Sequence, residues 1–249
     1  MASNNPFSNI GFEDFKRFAL DSSLSKYEKI GFPDSYRKGF EITIWNDILG
    51  KLSLLNSNKR QILDIGPGCS DLPMLMIDLC SRKKHRLILI DSSEMLSLLP
   101  DKPFIEKVPG IFPNLPDLIQ NLKGKIDVIL CYSVLHYIVF DAAFFRFLDI
   151  SLSLLSPGGQ MLIGDIPNIS KRKRFFSSEA GKRFHHEFTQ SSTNPDVTFN
   201  CINHDEIDDS IVFSLIGRAR LSGFDAYLVP QNPALPMANR REDILIFRP

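Results

Sequence analysis

Short apolar runs alternate along this chain with stretches whose apolar residues recur at helical spacing. Five runs have the length and composition of buried strands: residues 62–65, 86–91, 103–110, 125–133 and 159–165. The stretches between them place apolar residues three and four positions apart, which is the pattern of a helix with one buried face. This order, repeated five times, predicts an α/β fold with a Rossmann-like, doubly wound parallel sheet and right-handed crossovers.

The two ends of the chain add to this core. A helix over about 205–222 precedes two strands, 224–230 and 242–249, with no helical pattern between them. The last strand is therefore predicted to run antiparallel, as the seventh of the sheet. Helical spacing over about 12–24 and 38–55 predicts N-terminal helices. We predict one domain, 1–249, comprising a helical cap or lid (1–58) and a core (59–249) with an insertion at 167–203.

Composition narrows the class of protein. Lys plus Arg equals Asp plus Glu at 29 each in the 249 residues, so the overall charge argues against a nucleic-acid partner. The four cysteines lie far apart and match no zinc spacing, which indicates reduced thiols and no structural metal. The start of the chain lacks a signal-peptide pattern, and no apolar run is long enough to span a bilayer. A cytoplasmic protein is expected.

A glycine-rich turn follows the first predicted strand. The sequence ILDIGPGCSDLP, residues 62–73, places Gly66 and Gly68 where the strand gives way to a helix. Glycines at such a turn let a ligand approach the backbone closely. An acid, Asp64, stands two residues before the first glycine. A purely structural turn is the alternative.

Two cofactors compete for this turn, a dinucleotide and S-adenosylmethionine. Asp71 occupies the third glycine position of the dinucleotide fingerprint, where a carboxylate repels pyrophosphate. Asp64 favours a ligand that carries a sulfonium and an ammonium. Asp91 ends the next strand 23 residues after Gly68, where a carboxylate can accept both ribose hydroxyls. It supports an adenosine without choosing between the two.

Four segments together resemble a known family. ILDIGPGCSD, LILIDSSEML, IDVILCYSVLHYI and LLSPGGQMLIGD, in this order and spacing, are similar to class I S-adenosylmethionine-dependent methyltransferases over residues 60–165. The resemblance implies a methyltransferase with S-adenosyl-L-methionine as cofactor. Ser70 stands where a further glycine is usual, and no acid follows Gly110 where adenine recognition often places one.

The resemblance also implies which residues bind the cofactor. Its methionine part is assigned to Asp64, Gly66 and Gly68. Its adenosine is assigned to Asp91, Ser92, Met95 and Ile111, and its sulfonium to the neighbourhood of Cys131 and Tyr132. Met95 could equally belong to the core.

The acceptor of the methyl group is less well marked. His136 follows the fourth strand and Asp165 ends the fifth, so both are candidate bases at the ligand edge. A histidine packed behind the cofactor is the alternative for His136. Tyr27, Tyr36 and Arg37, in the N-terminal helical segment, are further candidates for ligand contact. A metal ligand set is not predicted.

A basic segment follows the fifth strand. In residues 171–188, apolar residues recur every four positions, giving one helical face flanked by basic groups. A solvated face is the simpler interpretation. However, the loop after the sixth strand reaches the same edge, so basic groups can converge on an anionic acceptor. The predicted acceptor-binding residues are Arg37, Lys171, Arg174, His185, His186, Arg240 and Arg241.

The sequence predicts methyl transfer, to oxygen, on a small anionic metabolite such as a sugar or phosphorylated group of surface polysaccharide synthesis. An RNA acceptor bound at residues 171–186 is one alternative. A module that binds the cofactor without transferring the methyl group is another, and a dinucleotide oxidoreductase is the third. The sequence does not specify the oligomeric state.

Overall fold

Seven strands form one sheet in the computed structural model, which describes residues 10–141, 144–201 and 206–249. The strands are β1 (Gln61–Ile65), β2 (Arg86–Asp91), β3 (Ile105–Pro109), β4 (Ile126–Tyr132), β5 (Leu155–Pro167), β6 (Asp225–Pro230) and β7 (Arg241–Phe247). Their spatial order is β3-β2-β1-β4-β5-β7-β6. The first five are parallel, and β7 runs antiparallel to both β5 and β6. The predicted fold class and the direction of the last strand are confirmed.

Helices connect and cover these strands. They are α1 (Phe12–Leu20), α2 (Asp34–Arg37), α3 (Glu41–Lys51), α4 (Asp71–Lys83), α5 (Ser93–Ser97), α6 (Pro116–Leu122), α7 (Leu135–Asp141), α8 (Phe144–Leu154), α9 (Ile169–Ser177), α10 (Glu179–Thr189) and α11 (Asp209–Leu221). The helix predicted over 134–155 is described as α7 and α8, and residues 142 and 143 between them lie outside the described residues.

Side chains of the central strands alternate between two apolar cores. Leu63 and Ile129 face the core that contains Phe147 of α8 and Leu215 of α11. Their neighbours along the strands face the opposite core, which α3 and α4 cover. Because both faces are buried, the parallel strands are nearly continuous apolar runs in the sequence.

The N-terminal segment has two structural roles. Trp45 and Ile48 of α3 pack in the core beside α4, so α3 covers the sheet. Earlier residues lie over the carboxyl ends of the strands instead, where they form part of a cavity wall. Within the predicted cap, α3 therefore packs on the sheet, whereas the residues before it cover the cavity.

The basic segment after β5 is a helical hairpin, not the single helix that its four-residue repeat predicts. The side chain of Ser178 caps α10 by accepting a hydrogen bond from the amide of Gly181 at 3.1 Å. A Cβ on Gly181 would lie 2.0 Å from the carbonyl oxygen of Phe175, so the two helices meet closely there. Phe176 is buried, whereas Phe188 is 67% exposed, which shows that the repeat does not form one buried face.

Candidate active site

A cavity of about 420 Å³ opens at the carboxyl ends of β1, β2 and β4. This is the edge at which doubly wound sheets bind ligands, and the volume is typical of a small-molecule site. Residues of the glycine-rich turn, the ends of β2 and β4, and the loop after β3 line it, and α1 and the segment 30–37 cover it. The lining residues are Phe12, Phe15, Ile30, Phe32, Arg37, Ile65, Gly66, Pro67, Gly68, Ser70, Leu72, Ile90, Asp91, Met95, Gly110, Ile111, Phe112, Pro113, Asn114, Tyr132, Ser133, Val134, Tyr137 and Ile138.

The two glycines of the turn are required by both conformation and space. Gly66 and Gly68 have φ angles of 69° and 64°, a backbone conformation that residues other than glycine adopt with difficulty. A Cβ on Gly66 would lie 2.6 Å from Val134, and one on Gly68 would lie 2.5 Å from Ile30. The glycines therefore make room for neighbouring side chains as well as for a ligand.

Asp91 joins the end of β2 to this turn. Its Oδ2 accepts a hydrogen bond from the amide of Gly68 at 3.0 Å, and its Oδ1 accepts one from the amide of Ser92 at 2.7 Å. Burial raises the pKa of Asp91 to about 6, against the lowering effect of these two bonds. Its carboxylate lines the cavity and has further lone pairs for ligand hydroxyls. Ser92 instead caps α5 by accepting a hydrogen bond from the amide of Met95.

Asp64 lies behind the cavity wall. It is 4% exposed on the central strand β1. Burial, together with the nearby charge of Asp91, raises the pKa of Asp64 to about 8. At neutral pH its carboxyl group is therefore mainly protonated, and its direct contact with a ligand stays a prediction.

Cys131 and Tyr132 illustrate the alternation of a strand. Tyr132 lines the cavity, whereas the side chain of Cys131 is fully buried in the core that contains Phe147 of α8 and Leu215 of α11. The predicted contact of Cys131 with a ligand is thus not supported by its position. Met95 and Ile111 both line the cavity, and Ile111 is 48% exposed at its mouth.

Asp165 is the centre of a buried polar network next to the cavity. Its Oδ2 accepts hydrogen bonds from Ser133 Oγ at 2.5 Å, from an Arg241 nitrogen at 2.6 Å and from Arg37 Nη2 at 3.3 Å. Burial alone would raise the pKa of Asp165, but the two arginines and its hydrogen bonds hold that pKa below the usual value. The group is an ionised counter-charge, which disfavours the predicted role as a base.

His136 lies close to this network. Its Nδ1 is buried without a hydrogen-bond partner among the residues that the structure describes. Burial and the charges of Arg241 and Arg37 lower the pKa of His136 to about 3, although Asp165 opposes them. The imidazole is neutral at physiological pH and a weak proton acceptor. A catalytic role for His136 stays a prediction.

Several of the predicted acceptor-binding residues are engaged in ion pairs. Arg174 pairs with Asp209 of α11 at 2.5 Å, and Lys171 donates to the carbonyl oxygen of Arg241 at 2.6 Å. These contacts attach the hairpin to the core. The guanidinium of Arg240 lies 6.0 Å from the ring centre of Phe184. His185 contacts the ring of Phe176, and the buried Nε2 of His186 has no hydrogen-bond partner in the described part of the chain.

Hydrogen bonds and ion pairs attach the N-terminal segment, part of which covers the cavity, to the core. Lys26 Nζ and the hydroxyl of Tyr27 both contact the carboxylate of Asp71, at 2.5 and 3.0 Å. Tyr27 is thus an anchor, whereas Tyr36 lies beside Arg240. Arg37 lines the cavity, and it also anchors the N-terminal segment because it bonds to Asp165.

Several lining residues are not among those predicted from the sequence. Phe12, Phe15 and Phe32 come from the cover, and Ser133 and Tyr137 follow β4. Residues just beyond the carboxyl end of a predicted strand could have been included from their position alone. The phenylalanines could not have been included in this way. The helical spacing of Phe12 and Phe15 indicates only that they share one side of α1.

The described residues show neither a metal-binding cluster nor a membrane-spanning helix. They contain no group of three His, Cys, Asp or Glu side chains placed to bind a metal ion. None of their helices is long and apolar enough to cross a membrane.

Comparison with known proteins places the fold. No protein-family model and no curated protein sequence matches the chain. Solved structures do match it. A S-adenosylmethionine-dependent methyltransferase from Aquifex aeolicus is similar over 90% of this chain and 97% of its own, with 13% identity and a TM-score of 0.56.

Two more neighbours have the same fold. The N-methyltransferase NodS from Bradyrhizobium japonicum, in complex with S-adenosyl-L-homocysteine, matches 96% of this chain and 98% of its own, with 14% identity and a TM-score of 0.57. The CurJ carbon methyltransferase matches 92% of this chain and 62% of its own, with 15% identity and a TM-score of 0.56. The chain therefore has the class I methyltransferase fold.

Proposed function

We propose that this chain, with its class I methyltransferase fold, is an S-adenosylmethionine-dependent methyltransferase that acts on a small anionic acceptor. The observation that carries the proposal is the position of Asp91. Its carboxylate lines the cavity while its two oxygens bond the amides of Gly68 and Ser92. A carboxylate so placed beside a glycine-rich turn suits the ribose of an adenosine.

The lining residues fit such a cofactor. Asp91 would hold the ribose, Met95, Ile111 and Phe112 would border the adenine, and the turn with Gly66 and Gly68 would hold the amino-acid end. When bound, S-adenosylmethionine supplies a methyl group that its sulfonium already activates for displacement. The chain itself must align the acceptor and exclude water, and Phe12, Phe15 and Phe32 cover the cavity for that purpose.

The network beside the cavity supports an anionic acceptor. Arg37 and Arg241 share one carboxylate, that of Asp165, so these three groups together carry one net positive charge. Arginine binds carboxylates and phosphates through a planar fork of donors. With a neutral His136 and an ion-paired Asp165, an acceptor that is already ionised is favoured over one that needs a strong base.

The acceptor is proposed to be methylated on oxygen, as a sugar or phosphorylated group of surface polysaccharide synthesis would be. The structural neighbours include a nitrogen and a carbon methyltransferase, so the fold does not select the atom. Ion pairs of Arg174 and Lys182 with Asp209 and Glu179 reduce the charge that the segment 171–186 could offer to RNA. The thiols of Cys69, Cys80 and Cys131 support a cytoplasmic location.

Calorimetry and a turnover assay test the proposal. We expect S-adenosylhomocysteine to bind more tightly than NADH, and product S-adenosylhomocysteine to form with at least one carboxylated or phosphorylated small molecule. Tighter binding of NADH would contradict the cofactor. Binding without turnover on a broad panel would favour a regulatory module, and salt-sensitive activity confined to RNA would contradict the small acceptor.

A variant tests the acceptor end. Arg241→Ala should raise the KM of the anionic acceptor while it leaves the affinity for S-adenosylhomocysteine unchanged, because Arg241 lies beside the cavity and not among its lining residues. Arg218→Ala, at an exposed ion pair with Asp149, is the matched control. An unchanged KM in both variants would remove Arg241 from the acceptor site.

A further inference from the structure

Arg240, the residue before β7, has no carboxylate partner among the described residues. By contrast, Arg37, Arg174 and Arg241 each form an ion pair with an aspartate. Arg240 is half-buried, and its guanidinium lies 6.0 Å from the ring centre of Phe184 in α10. A partly buried charge without a counter-charge is costly, so its placement requires an explanation.

A second arginine faces the first. Arg172 of α9 is exposed, its guanidinium lies 5.2 Å from the ring centre of Phe176, and in the described part of the chain it forms no ion pair, unlike two other cations of α9. The rings of Phe176 and Phe184 have their centres 6.2 Å apart. Burial lowers the pKa of Arg240, and the charges of Arg241 and Arg172 act in the same direction. Arg172 and Arg240, the arginine pair, therefore repel each other above neighbouring rings.

The carboxylates of the adjoining elements are already paired with other cations. Asp209 of α11 pairs with Arg174 at 2.5 Å. Glu242 of β7 lies 4.0 Å from Lys171. These two cations and two carboxylates neutralise each other, and the charges of the arginine pair remain. The place where the hairpin meets the loop before β7 is therefore suited to an anion from outside the chain.

The arginine pair adjoins the acceptor end of the site. Tyr36, whose hydroxyl lies beside Arg240, directly precedes the cavity-lining Arg37. Arg240 likewise directly precedes Arg241, which bonds to Asp165. Neither Tyr36 nor the arginine pair lines the cavity itself. A molecule that occupies the acceptor end can therefore reach the pair with a group that stays outside the cavity.

We propose that Arg172, Arg240 and the hydroxyl of Tyr36 bind a phosphate group outside the cavity. A phosphate monoester has about two negative charges and three acceptor oxygens at neutral pH, so it can accept from two guanidinium forks and a hydroxyl at once. It would also remove the repulsion between the two arginines. The proposal rests on the proposed function, and the phosphate has two possible sources: a phosphorylated end of the acceptor, or free inorganic phosphate.

Arg240→Gln and Arg172→Gln test the subsite, with inorganic phosphate as the probe. Calorimetry at constant ionic strength should show that the wild type binds phosphate and that each variant loses at least tenfold in affinity, because one guanidinium fork is lost. Arg183→Gln is the matched control. Arg183 is an exposed arginine of α10 that acts on Glu179, and its replacement should leave the affinity unchanged.

A second arm separates the two sources. The protein saturated with S-adenosylhomocysteine should be titrated with phosphonocarboxylates of increasing chain length, and with monocarboxylates of the same lengths. If the acceptor carries the phosphate, one length should bind at least tenfold more tightly than both its monocarboxylate and inorganic phosphate, and Arg240→Gln should abolish that gain. If free phosphate is the source, phosphate should bind and no phosphonocarboxylate should exceed it.

The stability of the ligand-free variants separates binding from a structural role. Removing one of two like charges should leave the thermal midpoint equal to that of the wild type or higher, whereas a structural arginine would leave it lower. Arg172→Gln keeps the test open if Arg240→Gln does not fold, because Arg172 is exposed.

The proposal is overturned if the wild type binds no phosphate, or if both variants lose no more affinity than Arg183→Gln. Binding of a single-stranded oligonucleotide more tightly than phosphate, abolished in both variants, would overturn the small-molecule source. The proposed function fails separately, if the wild type does not bind S-adenosylhomocysteine. The phosphate titration of the cofactor-free protein then decides the role of the arginine pair by itself.

Discussion

Ser133 and Asp165 lie at the ends of neighbouring parallel strands and share a left-handed backbone conformation. Their φ angles are 62° and 60°, and Ser133 Oγ donates a hydrogen bond of 2.5 Å to Asp165 Oδ2. Such conformations are uncommon outside glycine, and strained residues of this kind cluster at functional sites. Here they aim the hydroxyl and the carboxylate at the same point, where Arg37 and Arg241 also bond.

Asp165→Asn should lower the free energy of unfolding by about 3 kcal/mol, because two buried arginines lose their shared counter-charge. Asparagine tolerates the left-handed conformation, so the change isolates the effect of charge. Urea unfolding measures it. The control, Asp149→Asn at an exposed ion pair with Arg218, should cost less than about 1 kcal/mol. Equal losses in the two variants would contradict the central place of Asp165.

Asp91→Ala should weaken the binding of S-adenosylhomocysteine by about 1–3 kcal/mol, because hydrogen bonds to a charged acceptor are lost. Calorimetry measures this, with Asp101→Ala, at an exposed carboxylate paired to Lys107, as the control. Unchanged affinity in a folded variant would remove the ribose assignment. Since the amides of Gly68 and Ser92 also lose their acceptor, the variant's unfolding curve should accompany the binding data.

Asp64 should make folding stability depend on pH. Its pKa is about 8 in the folded protein and 3.8 ordinarily, so between these values the folded protein holds a proton that the unfolded chain has released. The stability it contributes is full below about pH 4 and is lost as the pH rises towards 8.

Asp64→Asn does not titrate, so it should gain stability relative to the wild type as the pH rises from about 5 to about 8. The gain should be on the order of 1 kcal/mol per pH unit. Urea unfolding at a series of pH values measures the difference. Parallel stability curves for the two proteins would contradict the raised pKa.

Gly68→Ala should be destabilised by both space and conformation. A Cβ would lie 2.5 Å from Cγ2 of Ile30, and the φ of 64° disfavours alanine. In the double variant with Ile30→Ala the steric part should disappear, leaving about 1–2 kcal/mol from the backbone. Urea unfolding of the four proteins of this cycle measures the coupling, and purely additive losses would contradict the contact.

Gly50→Ala is a control for that cycle. Apart from its chain neighbours and the backbone of its own helix turn, no heavy atom of the described residues lies within 4 Å of its Cβ position, and α3 is helical there. This replacement should stabilise the protein by about 0.5–1 kcal/mol, because alanine restricts the unfolded chain more than glycine does.

The fold could be predicted from the sequence because its central strands are unambiguous. The predicted strand at 86–91 is confirmed to the residue, since four buried apolar side chains lie between the exposed Arg86 and the cavity-lining Asp91. The hairpin at 169–189 could not be predicted as two helices. A close contact at Gly181 and a cap at Ser178 break it, and the four-residue repeat does not reveal them.

The candidate site could be predicted only where it belongs to the turns of the sheet. Gly66, Gly68 and Asp91 lie at the ends of predicted strands, and they line the cavity. Cys131 and Tyr132 are adjacent in the sequence, but the alternation of a strand sends their side chains to opposite faces. The burial of Glu41 is a property of tertiary packing, since an exposed glutamate has the same sequence signature.

Three ion pairs join the N-terminal segment to the core, and all three have the same polarity. Lys26, Arg37 and Lys51 belong to the N-terminal segment, and they pair with Asp71, Asp165 and Asp243 of the core. The cations lie on the N-terminal segment and the carboxylates on the core, so the three ion pairs fix where the segment docks. A cover grafted from another protein of this fold would have to carry a cation at each of the three places. Chimeric enzymes with new acceptor preferences are therefore best designed by exchanging residues between these anchors.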